Sequence, residues 1–341
     1  MRILVSTSGN ERTGFFAVAA LSALGHDRRL FIDDKSLSLS VFKALTRSPL
    51  RQTAKRFLQN YKRRIGKALL KEISIYKPDL VIVIQGDYFL REDIKKIRDD
   101  YKIPVVDWLI HDPVLSEFYD PLRVINLANY SQLFIADELW WPSVYFFERK
   151  ATHLSLASDP HFYKPLSLEK KMDVFFTGNL LPPSPHTTTG LVCARVLEGL
   201  LKNNFSVHAA ISGRSMIRKF PLLKKMRLIK TKHSPEELNR LYNQAKIILN
   251  LCSLDFKKSF PQQIFDVALS NNFQLAEHKD NIADIFPQGV VSFKSQDELF
   301  GLLKKYLASP EERRQLAAAA YDIALKKHTY QIRMRELLKT V

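Results

Sequence analysis

Two short glycine-bearing stretches in the second half of the chain have the make-up of a phosphate cradle. Phe176-Thr177-Gly178-Asn179 closes one apolar run, and Ser212-Gly213-Arg214 closes the next. A glycine at a strand end lets backbone N–H groups approach a phosphate near a helix N-terminus. Arg214 adds a guanidinium suited to bidentate phosphate contact. In the first half, Asp87 follows Gly86 after an apolar run, and His111 and Asp112 follow another. Imidazole and carboxylate in such places are candidates for a general base, which must come within roughly 3 Å of the proton it removes. The opening Ser6-Thr7-Ser8-Gly9-Asn10, with Gly14, is neither GxGxxG nor a Walker loop, because no Gly-Lys-Ser/Thr follows. A dinucleotide or ATP site therefore lacks its usual support.

The elements that must position these residues are legible as alternating short apolar runs and longer helical patterns. Strands are expected at Ile3–Ser6, Arg29–Ile32, Leu80–Gln85, Val105–Ile110, Leu133–Ala136 and Thr152–Leu156. In the second half they are expected at Asp173–Thr177, Val207–Ser212, Ile247–Leu251, Phe273–Ala276 and Val290–Phe293. Most are continuously apolar, as strands buried on both faces of a parallel sheet are. Ser234, Ser295 and Ser309 each stand three residues before a Glu. That spacing predicts helix starts in which Ser accepts a free N–H and Glu reaches back to the cap's own N–H.

Strand–helix alternation implies doubly wound α/β sheets. Eleven strands over 341 residues exceed one ordinary sheet. The polar stretch Asp159 to Lys171, with Pro160 and Pro165, predicts the break. The expected organisation is a Rossmann-like domain over 1–165 and a second over 166–341, facing a central cleft, with the last helix packing back toward the first. Ligands of such sheets bind beyond the carboxyl ends of the strands.

Composition narrows the setting. The chain is 46% hydrophobic and 26% charged, which suits a globular protein. No segment approaches the roughly 18 apolar residues of a membrane-spanning helix, and the start reads as a strand, not a signal peptide. Cys193 and Cys252 form no CxxC pair, so neither a disulfide framework nor a zinc site is expected, and a cytoplasmic setting follows. The formal net charge is +17, which calls for an anionic partner. Cations concentrate between Lys43 and Lys77 and between Arg214 and Lys232. The first stretch suggests solvated helix faces, or a docking surface for an anionic inner-membrane face or a charged glycan. No nucleic-acid module is visible.

The order of motifs from Asp173 to Arg333 resembles the C-terminal half of GT-B glycosyltransferases related to the spore maturation protein CgeB. The residues that carry this are Leu238-Asn239, Tyr242-Asn243, Lys246-Ile247 and Leu249-Asn250, then Phe265-Asp266-Val267-Ala268, then His328-Thr329-Tyr330 with Arg333. The first half fits more loosely, through Lys77-Pro78-Asp79-Leu80-Val81, Trp108 with Asp112-Pro113, and Ser158-Asp159-Pro160 with Tyr163 and Pro165. The resemblance implies that the acidic position, here Asp266, holds the donor ribose hydroxyls, with Tyr242 and Glu277 close by. The family's arginine falls on Gln263, and its Cys-Gly pair becomes Asn271-Asn272. Arg214, Arg218, Lys219 or Lys258 would have to supply the missing charge. The two glutamates of broader retaining relatives, separated by seven residues, are not both present, since the first falls on Lys258.

The resulting expectation is a glycosyltransferase. Its nucleotide-sugar donor, linked to UDP, GDP or dTDP, lies against Gly178, Asn179, Gly213, Arg214, Tyr242, Gln263, Asp266 and Glu277. His111, Asp112 or Asp87 deprotonates the hydroxyl of a glycan, lipid-linked or protein acceptor. No cofactor is expected beyond the donor itself, and without a DxD motif no obligatory metal. Two rivals share the architecture. One is a sugar-nucleotide or glycan-binding protein that no longer catalyses; the other is a nucleotide-sugar epimerase or hydrolase.

Overall fold

The computed structural model describes residues 1–9, 11–34, 51–86, 88–113, 125–140, 151–181, 188–213, 215–251 and 256–341. Asp87, Arg214 and Cys252 lie outside them. The chain divides into two compact units, Met1–Ser155 with Arg333–Val341, and Leu156–Ile332.

The first unit is built on β1 (Arg2–Ser8), β2 (Asp27–Asp34), β3 (Leu80–Ile84), β4 (Val105–Leu109), β5 (Gln132–Ile135) and β6 (Ala151–His153). Among the described residues they form one parallel sheet in the order β2-β1-β3-β4-β5-β6. The chain first steps outward from β1 to β2, then returns to the other side of β1 and continues. Every residue of β3 and β4 is buried, which explains why β3 reads as an unbroken apolar run and β4 as one interrupted by the buried Asp107. The helix Arg12–Ala23 lies so close on β1 that a Cβ at Gly14 would come within 2.4 Å of the Thr7 side chain.

The second unit repeats the plan with β7 (Met172–Asn179), β8 (Val207–Ser212), β9 (Arg227–Leu228), β10 (Ala245–Asn250), β11 (Gln274–Glu277) and β12 (Val291–Phe293). The order is β12-β11-β10-β7-β8-β9, again all parallel. Its core joins Val174, Phe176, Leu197, Leu200, Ile247, Leu249 and Leu275. Each of the eleven expected strands is present. The two-residue β9 has no apolar run of its own and was not anticipated. The fold is thus two Rossmann-like α/β units, each on a parallel six-stranded sheet.

The helix starts depart from expectation in detail. Ser234 and Ser295 cap as expected, accepting from the N–H groups of Glu237 and Glu298. The glutamates, however, reach past the cap. Glu237 takes the hydroxyl of Thr231 and the N–H of Lys232, and Glu298 takes the N–H of Lys294. They therefore tie down the incoming chain and not the cap's own N–H. Ser309 does not cap at all. It alone separates Gln296–Ala308 from Pro310–Lys327, and its hydroxyl donates to the Lys305 carbonyl, closing the first helix.

Candidate functional site

In each sheet the strand order reverses once, and that is where doubly wound sheets open a crevice beyond their carboxyl ends. The reversal falls between β1 and β3 in the first unit and between β7 and β10 in the second.

In the first unit the groups gathered there come from three strand ends. Glu11 follows β1 and caps the helix Arg12–Ala23. Its Oε1 accepts the N–H of Thr13 at 3.1 Å and the Thr13 hydroxyl at 2.9 Å. Gln85 ends β3 with φ at 58°, the left-handed region that costs a non-glycine residue about 1 kcal/mol or more. That backbone turns its side-chain amide toward β4. Its Oε1 accepts the N–H of Ile110 at 2.8 Å and of His111 at 2.9 Å. His111 is thereby fixed at the end of β4, its side chain half exposed and its Nε2 3.9 Å from Glu11 Oε2. Burial works to raise the Glu11 pKa, but the His111 contact and the Thr13 bonds outweigh it and hold the carboxyl below its usual range.

Of the base candidates among the described residues, His111 is the accessible one. Asp112 is buried, 3% exposed, and Asp87 lies outside the described residues. Glu11 and Gln85 were not singled out from sequence. A Glu before a helix reads as an ordinary cap, and nothing in the sequence says that β3 stands between β1 and β4.

In the second unit, Gly178 and Asn179 end β7 and pair with Ile211 and Ser212 of β8, and Gly213 follows at φ 77°. A Cβ at Gly213 would stand 2.7 Å from Leu181 Cδ2 and 3.0 Å from Asn179 Oδ1, so the Gly213 turn closes on the end of β7. Gly213→Ala is expected to cost about 1–2 kcal/mol, from the positive φ and this crowding. Chemical denaturation would show it as a lower midpoint at unchanged slope. The helix Thr189–Lys202 starts beside them, with no acid in its first turn and no side-chain bond at its cap, Thr188. Its first-turn N–H groups and positive dipole end are suited to an anion. Glu277, closing β11, lies within electrostatic reach of that helix. Burial first, and then the Glu277 charge, push the Cys193 thiol up to about 12, which leaves Cys193 an inert core residue.

On the helix Gln263–Leu269, Asp266 is 2% exposed and is gripped by Gln262, whose Nε2 lies 3.2 Å from Oδ1 and 3.3 Å from Oδ2. Tyr330 in turn donates its hydroxyl to Gln262 Oε1 at 2.8 Å. The His328-Thr329-Tyr330 motif is itself held locally. His328 Nε2–H donates to the Ile285 carbonyl at 3.1 Å, and Tyr330 N–H donates to the Ser158 carbonyl at 3.0 Å. Asn250 ends β10 and donates to Gln274. Its own Oδ1 and the Nε2 of Gln263 are buried with no hydrogen-bond partner among the described residues. Unpaired amides of this kind are costly unless a ligand or water completes them.

Tyr242 stands apart from this set. It is 1% exposed, three residues before β10 begins, with its ring centroid 6.2 Å from Tyr163 and 6.0 Å from Phe175. Its ring belongs to the core at the amino end of β10, whereas the polar cluster lies at the carboxyl end. Gly178, Asn179, Gly213, Gln263, Asp266 and Glu277 all belong to elements at or just beyond that carboxyl edge. Among the described residues no three His, Cys, Asp or Glu side chains converge as metal ligands would, and no helix is long and apolar enough to cross a membrane.

Comparison with known proteins agrees with this architecture. Residues 194–339 match the family model described as glycosyl transferase-like. No curated protein matches the sequence. Among solved structures, the chain resembles sucrose-phosphate synthase from Thermosynechococcus elongatus, with TM-score 0.69 at 10% identity over 100% of this chain and 98% of that one. It is similar to the α,α-trehalose-phosphate synthase (UDP-forming) from Burkholderia vietnamiensis, with TM-score 0.67 at 10% identity over 100% of both chains. It also resembles the E. coli trehalose-6-phosphate structure bound with UDP-2-fluoro glucose, with TM-score 0.69 at 10% identity over 100% and 98%. Two six-stranded parallel sheets, matched over the full chain in this way, give it the GT-B glycosyltransferase fold.

Proposed function

We propose that this protein is a glycosyltransferase that moves a sugar from a nucleotide-sugar donor, UDP-linked in the first instance, to an acceptor hydroxyl. The observation that carries the reading is the cluster at the carboxyl edge of the second sheet. There a glycine strand end at Gly178, the Gly213 turn, a helix N-terminus, two buried amide atoms without partners among the described residues and a held carboxylate come from elements of one sheet of a GT-B fold. Backbone N–H groups around Gly178, Gly213 and the start of Thr189–Lys202 take the diphosphate. Asp266 accepts from the ribose hydroxyls. Gln263 and Glu277 flank it. Among GT-B proteins we place the chain beside those related to CgeB, on the motifs from Leu238 to Arg333.

In the reaction the acceptor oxygen bonds to the anomeric carbon as the bond to the diphosphate oxygen breaks. The electron pair leaves on the diphosphate, and the acceptor proton passes to His111. Helix N-termini and cations stabilise the leaving charge, so no metal is required and chelation leaves the rate unchanged.

The test is a thermal-shift screen against UDP, GDP, dTDP, CMP and their common sugar conjugates. A ligand that binds only the folded state stabilises it by about 2.7 kcal/mol at a hundredfold excess over Kd. A clear rise in Tm with UDP and UDP-sugars is expected. No shift with any nucleotide, in a sample that melts cooperatively, would overturn the reading. Donor binding with no turnover over a panel of acceptors would turn it toward a non-catalytic binding protein. Rapid consumption of donor alone would turn it toward an epimerase or hydrolase.

A further inference from the structure

We propose that the exposed face of the helix Arg51–Tyr76 docks the protein on an anionic phospholipid membrane. The helix is 26 residues long, about 39 Å at 1.5 Å per residue. Its inward face is set by Tyr61, Leu69 and Ile73, each at most 7% exposed, and by the Tyr61 hydroxyl, which donates to the Asp33 carbonyl at 2.7 Å.

The opposite face carries Arg56, Asn60, Arg63, Arg64, Lys67 and Lys71, all exposed. Their spacing of three and four residues puts them in one stripe. None of the five cations makes an ion pair among the described residues. The single acid of the helix, Glu72, is turned to Arg29 at 2.7 Å and does not neutralise the stripe. At the far end of the stripe Ile75 is 62% exposed, an apolar residue where the charged row stops.

A straight row of like charge, unpaired and ending in an exposed aliphatic group, fits a flat anionic surface. Each cation is attracted to the headgroups, and the aliphatic group enters the interface. Single-stranded nucleic acid fits less well, because it is held by aromatic platforms between the cations. Tyr76, the last residue of the helix, is covered by Arg29 at 4.6 Å. The proposal rests on this helix alone and is independent of the transferase reading.

The experiment is sedimentation of the full chain with vesicles of phosphatidylcholine, alone or mixed with phosphatidylglycerol. Binding is expected only to the anionic vesicles, falling as salt is raised. The triple variant Arg63→Gln, Arg64→Gln, Lys67→Gln is expected to lower the partition coefficient by roughly 100-fold. All three positions are exposed, so its melting curve should match the parent's. Ile75→Ser, a second surface variant, is expected to weaken binding severalfold without altering its salt dependence. Equal binding to neutral and anionic vesicles, or a triple variant that binds like the parent, would overturn the proposal. So would tighter binding to a single-stranded oligonucleotide than to the vesicles at the same salt, which would reassign the stripe to nucleic acid.

Discussion

His111→Ala is expected to lower kcat by about 10²–10⁴-fold, the usual contribution of a positioned general base, with little change in donor affinity. The structure gives three reasons to choose this imidazole. It is half exposed at the carboxyl end of β4 while Asp112 is buried. Its backbone is clamped by Gln85, so its position is set by the sheet and not by a loose loop. Glu11 stands 3.9 Å away with its other oxygen committed to Thr13. A fixed anion beside the ring favours the imidazolium that forms when the acceptor proton is taken up.

With His111 as the proposed base, Glu11 would act through it, as a positioning residue. Glu11→Gln should cost roughly tenfold in kcat and move the acid limb of the pH profile to lower pH, because the anion that favours protonation has gone. Glu11→Asp should restore part of both. The stability linkage has the opposite signature. The folded-state pKa of Glu11 is lowered, so its contribution is complete above the unfolded value and is lost as pH falls through the folded one. The stability gap between parent and Glu11→Gln should be widest near neutrality and close in acid. A His111→Ala enzyme with kcat within about threefold of the parent would remove His111 as the base.

What could and could not be read from the residues divides along physical lines. A strand such as Leu80–Ile84 is buried on both faces, and its unbroken apolar run reveals it without any partner; in Val105–Leu109 the buried Asp107 interrupts the run. The edge strand Arg227–Leu228 is exposed and carries no such mark. Gly178, Asn179 and Gly213 were recoverable because a glycine turn after a parallel strand is a local event. Glu11, Gln85 and the Tyr330–Gln262–Asp266 chain were not. Each of these depends on which strands stand side by side or on contacts 68 residues apart. Tyr242 shows the converse difficulty. Its place in a recurring motif suggested the ligand, but the motif spans both ends of β10, and at the amino end an aromatic ring is core.

The second large effect is expected at Asp266. Asp266→Ala should weaken UDP and UDP-sugar binding by on the order of 100-fold, since a carboxylate that accepts two ribose hydroxyls makes charge-assisted bonds worth about 1.5–3 kcal/mol each, partly offset by water in the free site. The carboxylate is already held before any donor arrives. Both its oxygens face the Gln262 amide, which Tyr330 fixes from the other side. On the proposed reading, such preorganisation would let a short Asp do the work of a longer Glu, because no flexible side chain has to be ordered on binding. The argument makes a second substitution informative. Tyr330→Phe leaves Asp266 in place and removes the hydroxyl that holds Gln262. It should weaken donor binding by a few fold, well short of the loss in Asp266→Ala. Since Asp266 is buried, Asp266→Ala will also lower Tm. Affinity must therefore be measured by titration well below the transition, where a purely structural role would leave Kd unchanged. If Asp266→Ala binds UDP within about threefold of the parent under those conditions, the carboxylate is a core acceptor for Gln262 and the ribose is held elsewhere, with Asn250 and Gln263 the next amides to replace.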